Sequence, residues 1–139
     1  MIGYNLDVEG NISPEDLAKA MTILGELIIN KIKDNIRLME LIDEGRLLQG
    51  WLARWDGQNL HIDNTQKYMV YLEFGTYGYW NIYGLKGFPE KPLKKKRDMT
   101  KAEKEAEPKG MQPFAMQRRV IYNHKIMNGL ISQAFSSIS

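Results

Sequence analysis

The chain has 139 residues, a formal net charge of +2 and no cysteine. A chain of this length can bury a core of its own, and the missing thiols exclude disulfides, cysteine zinc sites and thiolate catalysis. No apolar run approaches the roughly 20 residues that cross a bilayer, and the first residues lack a signal-peptide pattern, so neither membrane insertion nor ordinary secretion is expected.

The positive charge is concentrated in one segment. Residues 86–101 hold seven basic and two acidic side chains, a net charge of +5 (7 − 2), which leaves −3 for the rest of the chain (2 − 5). The basic character therefore belongs to one segment and not to the whole fold.

The first elements in chain order are a strand and a long helix. Apolar residues alternate over 2–8, which predicts a half-buried strand. Ser13 and Pro14 then form a helix start, and apolar residues at helical spacing predict an amphipathic helix over about 14–40. Gly25 within that helix indicates a close approach to a neighbouring element.

Three further strands are expected next. A run ending at Trp55 and a run over 59–63 flank Asp56-Gly57, a dipeptide typical of hairpin turns. Residues 67–74 are predicted to form a third strand that is apolar on both faces, and such a strand is normally covered on both sides.

The C-terminal half contains a long excursion and a second helix. Residues 77–111 lack a clear element apart from a short helical turn in TKAEKEAE, and long loops of this kind are usually functional or disordered. A helix is predicted from Gln112-Pro113-Phe114 onward, with Arg118 and Arg119 on its solvent-exposed side. We therefore predict one α+β domain, 1–139, with an antiparallel sheet of about four strands packed against both helices.

Catalytic chemistry is not indicated. His61 and His124 are far apart in sequence, and neither has a serine or an acid at a spacing typical of a catalytic site. No phosphate-binding glycine loop is present. Glu73 interrupts an apolar run, where a carboxylate needs a partner, and Arg46, Arg118 or Arg119 of the same or a neighbouring chain is the expected one. We predict a protein that is not an enzyme and has no cofactor or metal.

The run KPLKKKR has two interpretations that the sequence leaves open. It is either a solvated loop or a set of phosphate contacts, through Lys94, Lys95, Lys96 and Arg97, that bind DNA without sequence preference. Neither a stacking platform for single strands nor a recognition helix is evident.

Three segments, in order, resemble one known family. VEGNISPEDLAKAM resembles its opening strand and helix start, and DEGRLLQGW resembles its acid–Thr–Gly–x–Leu–x–x–Ser segment, with Glu44 for the threonine and Gly50 for the serine. YMVYLEFGT followed by MQPF resembles its Tyr-Ala-x-x-Val-Glu-Phe-Gly-Thr and Gln-Pro-Phe signature, with Met69 for the alanine and a longer excursion over 77–111. The family is the head–tail joining (neck, or tail-completion) proteins of tailed bacteriophages.

The resemblance implies a structural virion protein, made in the host cytoplasm and assembled as a ring, commonly sixfold. Such a ring lies between the head connector or stopper protein and the tail terminator or tail-tube protein, around the channel that DNA traverses. The ring interface would include Tyr71, Glu73, Phe74, Tyr77, Tyr79 and Trp80, and the basic loop over 77–111 would contact adjacent rings or DNA. Two alternatives stay open: the aromatic residues pack onto their own subunit, or the chain is a small nonspecific nucleic-acid-binding protein.

Overall fold

The structure is a computed structural model that describes residues 12–39, 44–92, 98–108 and 110–138. The chain divides into two compact units, one formed by Met1–Gln66 with Met116–Ser139 and the other by Lys67–Ala115. We call them the helical unit and the motif unit. The architecture mixes helices with a two-stranded antiparallel sheet, while the prediction of a single domain over 1–139 stays a prediction.

The long N-terminal helix is confirmed as α1, Pro14–Met39. Ser13 caps it, since its hydroxyl accepts the backbone N–H of Asp16 at 3.1 Å. The buried side of α1 repeats every three or four residues, as the sequence predicts for a core-facing helix. This side consists of Ala20, Met21, Leu24, Gly25, Ile28, Ile32, Ile36 and Met39.

A short helix α2, Glu44–Gln49, leads into the predicted hairpin of β1, Trp51–Trp55, and β2, Leu60–Asn64. The strands pair antiparallel with Ala53 opposite Ile62. The predicted close approach at Gly25 is also confirmed, because a Cβ built there would lie 2.7 Å from the Cβ of Ala53. Glycine at this position lets the hairpin lie directly on α1.

The predicted third strand over 67–74 is wrong, since Met69–Phe74 forms a helix, α3. Its backbone closes local hydrogen bonds, including Gly75 N–H to the Tyr71 carbonyl at 2.8 Å, so the segment needs no strand partner. A six-residue apolar run does not distinguish strand from helix by periodicity. The described residues hold a sheet of two strands, and the strand predicted over 2–8 lies outside them.

The excursion over 77–111 is more regular than predicted. It begins with a helix that the sequence analysis missed, α4, Tyr77–Tyr83. The helical turn expected in TKAEKEAE is confirmed as α5, Lys101–Ala106, which begins at a capping box of Thr100 and Glu103.

The C-terminal helix is present but begins later than predicted. Residues 111–115 are not helical, and two helices follow, α6, Arg118–Ile121, and α7, His124–Ser136, of which α7 packs against α1. Asn123 separates them and caps α7 through the N–H of Ile126. The four-residue α6 buries three of its residues, so it lacks the solvent-exposed side that was predicted. Arg118, which was predicted to be solvent-exposed, is fully buried.

Candidate functional site: an exposed aromatic row on a folded motif pair

The motifs LEFGT and MQPF lie side by side in the motif unit, although 35 positions separate Thr76 from Met111. Three hydrogen bonds join them. Thr76 N–H donates to the Met111 carbonyl at 2.9 Å, Met111 N–H donates to Thr76 Oγ1 at 2.8 Å, and Phe114 N–H donates to the Leu72 carbonyl at 2.7 Å. The two most recognisable pieces of the sequence therefore form one structural feature, which we call the motif pair.

Two glycines make this close approach possible. Gly75 has φ +77°, and a Cβ there would lie 2.9 Å from both the Met111 carbonyl oxygen and the Pro113 nitrogen. Gly110 has φ +105°, and a Cβ there would lie 2.7 Å from the Thr76 carbonyl oxygen. Both backbone geometry and space therefore require glycine at these positions. Gly75, Thr76 and Met111 lie in the two motifs of the sequence, whereas no signal in the sequence identifies Gly110.

The motif pair includes two buried polar side chains. Glu73 is fully buried, and Gln112 is 7% exposed. A buried carboxylate has to be compensated, which agrees with the expectation that Glu73 has a partner. The expected pairing with Arg46, Arg118 or Arg119 stays a prediction. So does the place of Glu73 in a ring interface, although its side chain is enclosed within its own chain.

Four of the six predicted interface residues lie on α3 and α4, in two pairs three positions apart. Tyr71 and Phe74 are three positions apart on α3, so they share a side of that helix, as do Tyr77 and Trp80 on α4. The rings of Phe74 and Trp80 join the two helices edge to face, with centroids 6.4 Å apart. Tyr71 is 57% exposed, Tyr77 77% and Trp80 40%. We call these four residues the aromatic row.

Tyr79 lies on the opposite side of α4 from this row and is buried. Its hydroxyl donates to a carboxylate oxygen of Glu107 at 2.6 Å, across 28 positions of the excursion. Burial raises the pKa of the Tyr79 phenol well above its ordinary value, and the hydrogen bond to Glu107 raises it further. For Tyr79, packing onto its own chain is therefore observed, whereas Tyr77 and Trp80 face outward.

The backbone at Tyr77 is strained. Its φ of +51° falls in the left-handed region, which costs an aromatic residue roughly 1–2 kcal/mol. The preceding Thr76 is fixed by its two hydrogen bonds to Met111, so the motif pair holds the strained residue in place. Tyr77, whose backbone is strained, has the most exposed side chain of the aromatic row.

The basic loop is described only in part. Lys94, Lys95, Lys96 and Arg97 lie outside the described residues, and their predicted contacts with adjacent rings or DNA stay predictions. The flanking Lys86, Lys91 and Lys101 are exposed.

The two histidines lie in different elements of the described chain. His61 bonds Asp56 at 2.7 Å within the hairpin turn, and His124 is the first residue of α7. Groups of three or more side chains able to hold a metal ion are absent from the described part of the chain. Among the helices that the structure describes, none combines the length and the apolar character needed to cross a membrane.

Comparisons with known proteins add no relative. No family model matches the chain, and neither the curated proteins nor the solved structures contain a match. The candidate site consists of the motif pair and the aromatic row. Its function has to be inferred from its geometry and from the resemblance of its motifs.

Proposed function

We propose that the chain is a structural virion protein that forms a ring in the neck of a tailed phage, between the head connector and the tail tube. The observation that carries the proposal is the aromatic row. Three large aromatic side chains lie in water on one surface, and tyrosine and tryptophan are typical of residues that protein interfaces bury. The motifs that resemble the neck family are the ones that build this surface.

A ring gives this surface a partner. In a closed ring each subunit presents one face to the preceding copy and a different face to the following copy. We propose that the aromatic row is one of these two faces, in a ring that is sixfold. The connector or stopper protein and the tail terminator or tail-tube protein would lie above and below it, with DNA passing through the centre.

The remaining expectations belong to the same proposal. The protein would have no enzymatic activity, would be made in the host cytoplasm and would end in the virion neck. A sheet larger than the β1–β2 hairpin is also part of it, with residues 2–8 as the expected additional strand.

Particles assembled without the protein test the proposal. Filled heads and complete tails should accumulate without joining, and the wild-type chain supplied in trans should restore joining. A chain carrying Tyr71→Ser and Tyr77→Asn should fold but fail to restore it, while Leu52→Ser, which changes an exposed leucine of β1, should restore it. Normal joining in particles that lack the protein would refute the proposal.

The alternative function is nonspecific nucleic-acid binding through the basic loop. The charge of +5 over residues 86–101 favours it, because phosphate contact requires cations without a defined geometry. Binding to any duplex should then fall steeply with salt and should disappear when Lys94, Lys95, Lys96 and Arg97 are replaced by alanine. Unchanged duplex affinity in that variant removes this alternative.

A further inference from the structure

Thr76 stands at the start of α4 but does not cap that helix with its side chain. It is the N-cap residue of α4 and has an extended backbone, with φ −136° and ψ 160°. An N-cap threonine normally accepts a backbone N–H from the first turn of its own helix. Within the described segment 76–83, the Thr76 side chain makes no such bond. Its hydroxyl oxygen instead accepts the N–H of Met111 at 2.8 Å, 35 positions along the chain.

Thr100 shows the ordinary arrangement in the same unit. It is the N-cap residue of α5, and its hydroxyl oxygen accepts the N–H of Glu103 in the first turn of that helix at 3.2 Å. Thr76 and Thr100 therefore hold the same position in two short helices and use their hydroxyl groups differently. The hydroxyl of Thr76 connects the start of α4 to the end of the excursion over 77–111.

The residue after Thr76 is the one whose backbone has to be held. Tyr77 has φ +51°, a conformation that persists only where the surroundings enforce it. Thr76 is bonded to Met111 through both its N–H and its hydroxyl. Gly110 lies against the same place, because a Cβ built on it would lie 3.0 Å from the Tyr77 Cβ and 2.7 Å from Thr76 Oγ1. Tyr77 is thus held by Thr76, Gly110 and Met111.

We propose that Thr76 is a positioning residue of the aromatic row. Its hydroxyl, by holding Met111 instead of capping α4, keeps Tyr77 in the left-handed conformation in which its side chain is 77% exposed. This inference rests on the proposed function, because the position of Tyr77 matters only where the row docks on another protein chain. A side chain that is held in place before docking avoids the loss of affinity that rearrangement causes, since apparent affinity falls with the fraction of competent chains.

Two substitutions at Thr76 separate its hydroxyl from its shape. Thr76→Val keeps the branched shape and removes the acceptor for the Met111 N–H, whereas Thr76→Ser keeps the acceptor. In the isolated full chain, the close approach of Tyr77 to Gly110 should give a nuclear Overhauser signal between the Tyr77 β protons and the Gly110 α protons. We expect this signal in the wild type and in Thr76→Ser, and a loss of at least half its intensity in Thr76→Val.

The consequence for docking is measured by adding the purified chain to extracts of particles that lack it. The protein concentration that gives half-maximal head–tail joining reports on the fraction of competent chains. Thr76→Val should raise that concentration by about three- to tenfold, the factor that one net hydrogen bond provides. Thr76→Ser should leave it near the wild-type value.

Thr100→Val is the matched control for Thr76→Val. It removes an equivalent hydroxyl bond from the start of α5, in the same unit, without touching the motif pair. It should lower the melting temperature by a similar amount and leave joining unchanged.

The results separate this inference from the proposed ring. A wild type without the Tyr77–Gly110 signal, or a Thr76→Val variant that keeps it in full, overturns the positioning role. Loss of the signal with unchanged joining also overturns it, because the position of Tyr77 would then not matter for docking. Equal loss of joining in Thr76→Val and Thr100→Val assigns the effect to stability alone and overturns it too, as does failure of Thr76→Ser. The ring itself is refuted only by joining in particles that lack the protein, a result that no Thr76 variant can produce.

Discussion

The helical unit and the motif unit are each stabilised internally by a different kind of contact. In the helical unit a 26-residue helix presents a periodic apolar side to the hairpin and to α7, so side-chain packing dominates. In the motif unit the helices of 67–115 have six or seven residues, and backbone groups of LEFGT and MQPF bond each other directly. The motif unit therefore depends on backbone geometry, and its close backbone contacts are possible because Gly75 and Gly110 carry no side chain.

The largest expected effect is therefore at Gly75. Gly75→Ala combines a positive φ with contacts of 2.9 Å to backbone atoms that cannot move aside, and it should lower the free energy of unfolding by about 3 kcal/mol. Denaturant unfolding measures this change.

Gly84→Ala is the matched control for Gly75→Ala. Gly84 also has a positive φ, +62°, with ψ −155°, but no described atom lies within 4 Å of the Cβ position, so only backbone strain remains and the loss should be smaller, about 1–2 kcal/mol. Equal losses at Gly75 and Gly84 would contradict the close contact of the motif pair.

In the helical unit the same substitution should have opposite signs at two helical glycines. Gly25→Ala forces a methyl group to within 2.7 Å of the Ala53 Cβ and should destabilise the protein by about 1–3 kcal/mol. Gly129→Ala on α7 meets no described atom within 4 Å and should stabilise it by about 0.5–1 kcal/mol. Thermal unfolding of both variants checks the pair, and a stabilising Gly25→Ala would show that the hairpin does not lie on α1.

The Tyr79 hydrogen bond should make the motif unit sensitive to alkali. Because burial first, and the Glu107 bond second, raise the pKa of Tyr79 in the folded chain, the unfolded chain releases the phenol proton at lower pH. This contribution to stability is fully present below the ordinary pKa of about 10 and is lost as pH rises above it.

Tyr79→Phe isolates that contribution. The variant loses a hydrogen bond worth about 1 kcal/mol at neutral pH, and its stability should then fall less steeply above pH 10 than that of the wild type. Unfolding curves at several alkaline pH values measure the slopes. Parallel slopes in the two proteins would contradict the buried position of the phenol.

The smallest effect concerns the hairpin turn of the helical unit. The backbone N–H of Asn59, then the His61 ring, then the N–H of Gln58 hold the pKa of Asp56 well below its ordinary value. A depressed carboxyl pKa stabilises the fold above the ordinary value of 3.8, and this contribution is lost as pH falls below it. The protection factors of the β1 and β2 amides, which correct for slower intrinsic exchange in acid, should therefore decrease slightly as pH falls below the ordinary pKa of 3.8, and Asp56→Asn should reduce that decrease.

Parts of the fold were predictable because their signals are local. The spacing of Met21, Leu24, Ile28 and Ile32 identifies α1, and Asp56-Gly57 identifies the hairpin turn. The run over 67–74 was too short for its period to decide between strand and helix, and α3 took the place of the expected strand. An unbroken helix from Gln112 past Asn123 predicts a solvent-exposed Arg118, whereas α6 ends before Asn123 and buries three of its four residues.

The sequence indicates an interface at the aromatic turn after LEFGT, and that membership stays a prediction. The structure shows Phe74 and Trp80 in ring contact and Tyr71 and Tyr77 exposed on the same two helices. The inward direction of Tyr79 depends on Glu107, which is 28 positions away, and the position of Gly110 depends on Thr76. Contacts over such distances leave no periodic signal in the sequence.

Radical footprinting of the aromatic row addresses the central proposal directly. Oxidation of Tyr71, Tyr77 and Trp80 would be compared between the isolated chain and intact phage particles, with the buried Tyr79 as the internal reference. We expect all three to be reactive in the isolated chain and strongly protected in the particle, with Tyr79 protected in both. Equal reactivity of the three side chains in the particle and in the isolated chain would contradict the proposal that neighbouring copies cover the row.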